Sequence, residues 1–225
     1  MKKILVFFTL FISVFVKVEA KVDFKNGYII TLNNDTIYGK IVNTNYYEHS
    51  LKCTFKENDK DETTTYFPNQ LTGYRFIDGK FYISKKVLVD SIPTTFFMEY
   101  LINGKLNFYF RQDKGVINHY YAEKDTSGIR ELIYINEIVH INDGDFNVEK
   151  KKYVGLLTVI TSDCQLLQND IAKINEPDHE KLIKFAKKYH DLTCSDNSCV
   201  IYEKKMPLKI KIEALTSFDF IGIGV

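Results

Sequence analysis

Alternation of apolar and polar residues, interrupted at short intervals by turn sequences, is the feature that most constrains the fold of this chain. Residues 95–111 show it most clearly, with an Asn-Gly pair at positions 103 and 104 between two alternating runs. Asn-Gly between such runs favours a two-residue hairpin turn. The first run places Phe96, Met98, Tyr100 and Ile102 on one face, and the second run places Leu106, Phe108 and Phe110 on one face, opposite Asn107, Tyr109 and Arg111.

Similar but weaker signals predict further short strands along residues 22–142. They lie at residues 27–32, 36–42, 51–56, 63–67, 72–77, 80–84, 116–123, 129–135 and 137–141. Asp78-Gly79 between two of these runs predicts a type I′ turn, which needs positive φ at both central residues. Short strands without intervening helices favour an antiparallel sheet, a sandwich or a partly open barrel over parallel βαβ units.

The hydrophobic period changes from two to about 3.6 after residue 150, which predicts helices. One stripe contains Tyr153, Leu157, Ile160, Cys164, Leu167, Ile171 and Ile174. Pro177 suits the first turn of a second helix, whose stripe contains Leu182, Ala186 and Tyr189. The short connection predicts an antiparallel helical hairpin that covers one face of the sheet, although docking to another protein is the alternative. The predicted fold class is therefore α+β.

Residues 1–20 have the features of a cleavable secretory signal peptide. Lys2 and Lys3 precede a largely apolar stretch at residues 4–16, and residues 18–20 (VEA) fit a small-x-small cleavage site. The apolar stretch is too short to span a bilayer. We therefore predict export to the periplasm, the outer membrane or the exterior, with cleavage after Ala20.

Charge and hydropathy limit the partners that the mature chain can have. Removal of residues 1–20 takes away three lysines and one glutamate, which changes the formal charge from +1 to −1. A balanced charge does not favour nucleic acid as a partner. No later segment has 18 uninterrupted apolar residues, so no transmembrane helix is predicted.

Four cysteines remain after cleavage, at positions 53, 164, 194 and 199. An even number in an oxidising compartment predicts disulfides, but four cysteines allow three connectivities. We favour Cys164–Cys194, which would tie the first helix to the segment that follows the second. Cys194–Cys199 is the main alternative, in which case Cys53 is free or pairs elsewhere.

Catalytic and metal-binding signatures are missing from the sequence. It contains no Gly-x-Ser-x-Gly, P-loop, His-Glu-x-x-His or Cys-x-x-Cys pattern. Asn142 to Asp145 is interpreted as a turn, and His119 as a structural residue. We predict no catalytic residue, no metal ligand and no cofactor.

Several short segments resemble a group of exported Bacteroidetes proteins that carry a β-rich domain of unassigned function, often ahead of an outer-membrane β-barrel. The segments are 27–32 (GYIITL), 35–41 (DTIYGKI), 73–76 (GYRF), 99–109 (EYLINGKLNFY), 119–121 (HYY), 163–164 and 189–194. The resemblance implies an envelope location and carries over no catalytic residue. Residues 218–225 look like the first strand of such a barrel. Three interpretations stay open: the barrel is lost in this version, the sequence is truncated, or the segment is only a terminal strand of the soluble fold.

These observations divide the chain into a signal peptide (1–20), a β-rich domain (21–148), a helical hairpin (149–200) and a terminal strand segment (201–225). The first functional hypothesis is a non-catalytic interaction module with an envelope or outer-membrane protein as its partner. The second is a domain, binding or enzymatic, that takes carbohydrate or peptide on an aromatic sheet face. The residues predicted for that face are Tyr74, Tyr109, Tyr120 and Tyr121.

Overall fold

The structure is a computed structural model that describes residues 22–57, 62–124, 128–141, 144–193 and 200–202. The predicted signal peptide lies outside the described residues, as do Cys194, Cys199 and residues 203–225 of the predicted terminal strand segment.

The described residues form thirteen strands and four α-helices. The strands are β1 (Phe24–Ile30), β2 (Thr36–Val42), β3 (Cys53–Glu57), β4 (Thr64–Tyr66), β5 (Gly73–Phe76), β6 (Phe81–Val89), β7 (Ile92–Asn103), β8 (Leu106–Gln112), β9 (Asn118–Lys124), β10 (Ile129–Glu131), β11 (Tyr134–Ile141), β12 (Gly144–Lys151) and β13 (Val200–Ile201). The helices are α1 (Tyr46–Leu51), α2 (Lys152–Ile160), α3 (Gln168–Ile171) and α4 (His179–Thr193), with a 3-10 turn at Gln165–Leu167.

One large open antiparallel sheet dominates the architecture. Its strand order is β10-β9-β8-β7-β6-β5-β1-β2-β3-β4, and β13 pairs with β7 beyond the end of β6. Strands β5 to β10 follow one another as a meander, and β5 returns across the sheet to pair with β1. β11 and β12 form a separate two-stranded sheet. The predicted α+β class with a mostly antiparallel sheet is confirmed.

Helices cover one face of this sheet. Near α1 the buried residues include Ile29, Ile41, Phe55 and Phe97. Farther along the same face, the buried residues of β7, β8 and β9 pack against α2, α3 and α4. None of the described helices is long and apolar enough to cross a membrane.

The opposite, open face has a core built without helical residues. It contains Val87, Met98, Tyr100, Tyr109 and Tyr121, each at most 8% exposed. The sheet curls over this cluster until β10 contacts β6, although three strands lie between them in the sheet order. Burial on this side therefore comes from the curvature of the sheet.

A β-bulge in β7 changes which face Ile102 occupies. Tyr100 pairs with Tyr109 and Ile102 with Phe108, which leaves Leu101 as the extra residue. Met98 and Tyr100 belong to the open face, but Leu101 and Ile102 are both buried on the helix-covered face. The prediction that Ile102 shares a face with Met98 was wrong, because a bulge inserts one residue into the alternation.

The predicted first helix is broken in the structure. α2 ends at Ile160, and the Thr161 hydroxyl caps it by donating to the Leu157 carbonyl. Asp163 then binds Lys124 of β9 and accepts a hydrogen bond from the Tyr189 hydroxyl of α4. These contacts accompany the break in the helix. Most residues of the predicted apolar stripe are buried nevertheless.

Other predicted boundaries also shift. The segment predicted to become helical at residue 149 continues as β12 to Lys151, and α1 was not predicted. At Asp78-Gly79 only Asp78 has positive φ, so the predicted type I′ turn is wrong. Asp90 and Ser91, which join β6 to β7, both have positive φ instead.

Candidate binding face

The four tyrosines predicted to form a ligand surface do not share a face. Tyr109 and Tyr121 are directly opposite each other in β8 and β9 on the open face. Tyr74 and Tyr120 lie on the helix-covered face, in two different clusters. All four are buried, and the most exposed is Tyr120 at 6%. The structure therefore brings only two of them together, and neither is accessible.

The hydroxyl groups of these tyrosines bind other parts of the protein. Tyr74 donates to the His49 carbonyl oxygen at 2.8 Å, and the Tyr120 hydroxyl lies 2.9 Å from His179 Nδ1. On the open face, Tyr109 donates to the Glu123 carboxylate, and the Tyr121 hydroxyl accepts from Arg111 Nε at 3.0 Å. Burial raises the pKa of Tyr121 to about 12. These contacts give the four tyrosines structural roles.

Tyr109 and Tyr121 are part of a longer aromatic row on the open face. Tyr100 stacks on Tyr109 with ring centroids 4.7 Å apart, and Tyr109 pairs with Tyr121 across the next strand. We call Tyr100, Tyr109 and Tyr121 the inner row. The Tyr202 ring lies 5.0 Å from both Tyr100 and Phe81, so it extends the inner row toward β5 and β1.

The row continues outward across β6, β5, β1 and β2. Direct cross-strand pairing joins Phe81 to Arg75, Arg75 to Tyr28, and Tyr28 to Tyr38. The Tyr28 and Tyr38 rings are 5.5 Å apart and tilted by 57°. Tyr38 is 58% exposed, and Tyr28 is partly buried. The aromatic row thus has buried rings at one end of this sheet face and accessible rings at the other end.

The accessible end is positively charged. Lys40 follows Tyr38 on the same face of β2, because residues two apart in a strand point the same way. We call Tyr28, Tyr38, Lys40 and Arg75 the outer platform. Among the described residues, neither Lys40 nor Arg75 has a carboxylate partner, and Arg75 Nε has no hydrogen-bond partner. Lys56 of β3 is the direct cross-strand neighbour of Lys40.

Within the described part of the chain, the strands at this end of the sheet contribute no carboxylate to the open face. The acidic residue of β3, Glu57, is opposite Gly39 and so lies on the helix-covered side with Phe55. β1, β2 and β5 contain no Asp or Glu. The inner row differs in this respect, since Glu123 there pairs with Lys85 at 2.7 Å.

An open cleft of about 510 Å³ lies beside His119, where β9, β11 and the start of α4 meet. His119 Nδ1 is 2.6 Å from a Glu131 oxygen, and Nε2 is 3.3 Å from an Asp113 oxygen. Burial raises the pKa of Asp113, but hydrogen bonds from the Ile117 backbone N–H and from His119 outweigh it and hold that pKa below its usual value. Both ring nitrogens are thus engaged, and the lining residues include no serine, threonine or cysteine.

A buried ionic group lies between α1 and α4. The Glu99 side chain is 1% exposed, and Lys80 Nζ is 2.9 Å from it. Lys80 also donates to the Tyr46 hydroxyl of α1, and His179 Nε2 of α4 lies 3.9 Å from Glu99. This group links both helices to the sheet.

The predicted disulfide stays a prediction, because Cys194 lies outside the described residues. Cys53 and Cys164 are both buried and are free thiols in the described part of the chain. Burial raises the pKa of the Cys53 thiol, which disfavours the reactive thiolate. No group of three or more His, Cys, Asp or Glu within the described ranges could hold a metal ion.

Sequence reasoning missed the outer platform. One usable signal was the alternation in the first hairpin, where Ile29, Ile37 and Ile41 face inward, which leaves Tyr28, Tyr38 and Lys40 facing outward. Arg75 gave no such signal, because it reaches Tyr28 only through the pairing of β1 with β5.

Comparison of the chain with protein-family models, with curated proteins and with solved structures found no match in any of the three. The arguments for function therefore come from the site itself.

Proposed function

We propose that this protein is an exported, non-catalytic binding domain that engages a component of the cell envelope through the outer platform. The observation that carries the proposal is the contrast between the two ends of the aromatic row. The inner tyrosines are buried, and internal contacts occupy Tyr109 and Tyr121. At the outer end, Tyr38 is exposed and two cations have no acidic partner in the described structure.

Accessible aromatic rings beside unpaired charges are typical of binding surfaces, because they combine apolar contact with directional polar contact. Such a surface needs no reacting group. The geometry around His119 also favours binding over catalysis, since carboxylates occupy both ring nitrogens of His119 and the described residues that line the cleft include no serine, threonine or cysteine. A histidine that acts as a general base needs a ring nitrogen within hydrogen-bond reach of the proton that it removes.

Site-specific photocrosslinking tests the proposal in cells that naturally make the protein. The full chain carries p-benzoylphenylalanine in place of Tyr38, or in place of Val159 as the control. Val159 is 70% exposed on α2, away from the open face. We expect a discrete adduct from position 38 and none from position 159. Absence of an adduct at position 38, or equal adducts at both positions, would contradict the proposal.

A separate experiment tests whether the protein is exported. We expect the N-terminus of the native protein to begin at Lys21, as read by mass spectrometry of the intact chain. A native protein that keeps Met1 would refute export and leave the binding face to be judged by crosslinking.

A further inference from the structure

We infer that the ligand of the outer platform is an acidic polysaccharide, a chain of sugar rings that carry carboxylate groups. The inference rests on the proposed function and names the ligand class of the same site. It follows from three features of the platform: two tyrosine rings, cations without acidic partners among the described residues, and a position that spans neighbouring strands of one sheet face.

The tyrosines provide contacts for sugar rings. Tyr28 and Tyr38 are adjacent, and their rings are tilted rather than parallel, so they present two apolar faces at an angle. Among the described residues, no hydrogen bond occupies either hydroxyl. A sugar ring has an apolar C–H face and a rim of hydroxyls, so it matches an aromatic face with a hydroxyl at its edge.

The cations provide contacts for carboxylates. Arg75 is the direct cross-strand neighbour of Tyr28, and Lys40 is the second residue after Tyr38. Adjacent strands are about 4.8 Å apart, so Tyr38 and Arg75 lie about 10 Å apart across β1. The Arg75 guanidinium lies 5.1 Å from the Tyr202 ring centroid, and its planar fork matches the two oxygens of a carboxylate, whereas Lys40 offers a point charge. A ligand that alternates rings with negative charges fits this spacing.

Two other classes of macromolecule fit less well. Protein interfaces are depleted in lysine at their centres, whereas Lys40 and Lys56 are neighbours here. Nucleic acid binding depends on many phosphate contacts and a basic domain, but the formal charge of the chain after removal of residues 1–20 is −1. The positive charge is local, which suits a ligand whose charges are carried on separate sugar rings.

Direct binding measurements with defined probes test the inference. The full exported chain is titrated by calorimetry with oligogalacturonate, with the same oligomer fully methyl-esterified, with polyphosphate and with an oligothymidylate. We expect binding to oligogalacturonate, a loss of about tenfold or more in affinity on esterification, and weaker binding to the two probes without sugar carboxylates. Affinity for oligogalacturonate should also fall as salt is raised, because exposed charges are screened.

Single substitutions assign the binding to the platform. Lys40→Gln and Arg75→Gln should each weaken oligogalacturonate binding by about threefold to tenfold, and Tyr38→Ala by a similar factor. Lys40 and Tyr38 are exposed, so those two variants should fold even if Arg75→Gln does not. Lys187→Gln, on the exposed side of α4, is the matched control and should bind as wild type does.

The outcomes separate the ligand class from the proposed function. Equal affinity for the esterified oligomer, tighter binding to polyphosphate or oligothymidylate, or no effect of the platform substitutions would overturn the inference. If oligogalacturonate does not bind but crosslinking at position 38 still succeeds, the ligand class is wrong and the binding face stands. If crosslinking fails, the proposed function itself is wrong.

Discussion

At the residue scale, the surroundings of His49 decide its protonation state. The His49 side chain is buried beside Tyr74, and its Nε2 accepts a hydrogen bond from the Thr44 backbone N–H at 3.2 Å. A protonated ring could not accept that bond. Burial, with a further contribution from the Lys80 charge, lowers the pKa of His49 from 6.5 to about 4.

This shift predicts a loss of stability in mild acid. Because the folded state keeps His49 neutral down to a pH of about 4, the unfolded state binds the proton first and gains population as pH falls below 6.5. The contribution of His49 is therefore complete above pH 6.5 and is lost between pH 6.5 and 4. It amounts to about 3 kcal/mol at about 1.4 kcal/mol per pKa unit.

Urea unfolding at pH 7 and pH 4.5 measures the effect. His49→Gln should lose less stability between the two pH values than wild type does. His140→Gln is the control, because the His140 side chain is 75% exposed on the β11–β12 hairpin. Identical pH dependence in wild type and His49→Gln would show that His49 is not the group responsible.

The buried ion pair predicts an asymmetry between its two partners. Lys80→Met leaves the Glu99 carboxylate without its cation at 1% exposure, which should cost about 3 kcal/mol of unfolding free energy. Glu99→Gln removes the charge but keeps the shape, and Lys80 at 23% exposure can then turn to water. We expect Lys80→Met to be the more destabilising variant in urea unfolding at pH 7. If Glu99→Gln were the more destabilising variant, the cost of leaving a buried carboxylate unpaired would not dominate the stability of this pair.

At the element scale, the sequence located the strands of the hairpins more accurately than it located the ends of the helices. The β7–β8 hairpin and β2 lie where alternation predicts them. The bulge at Leu101 and the break after Ile160 were not predicted, because contacts with distant strands and helices produce them. Local pattern carries no information about such partners.

The β11–β12 hairpin should be the least protected part of the described strands. It pairs only within itself, and Ile138 and Phe146 on its two faces are 66% and 54% exposed. Little buried apolar surface opposes its local opening. In native-state hydrogen exchange, peptides from residues 136–141 and 144–149 should exchange much faster than peptides from β8. Equal protection would contradict this expectation and would indicate a partner on the hairpin.

At the scale of the whole molecule, sheet and helices share one core. Leu157 of α2 is fully buried in the same cluster as Leu101, Phe108 and Phe185. The sequence-based division into a β-rich domain and a helical hairpin therefore describes the order along the chain, while the packing joins the two parts.

A core substitution in α2 should accordingly destabilise the sheet as well. Leu157→Ala should lower the unfolding free energy by about 2–4 kcal/mol. Tyrosine fluorescence, which reports mainly on the sheet, and far-UV circular dichroism should give coincident transitions. Val159→Ala, at an exposed position of the same helix, is the control. Separate transitions for the two probes would show that the helices and the sheet unfold independently.

Sequence alone determined the class of the fold, most of the strands and the apolar stripe of the helical region, because each depends on a short repeating pattern of hydrophobicity. Tertiary structure decided which tyrosines are buried and which are accessible. Strand order places Arg75 beside Tyr28, and sheet curvature encloses Tyr109 and Tyr121. Pairing between residues far apart in the chain sets both features, so the accessible platform could be located only in the folded molecule.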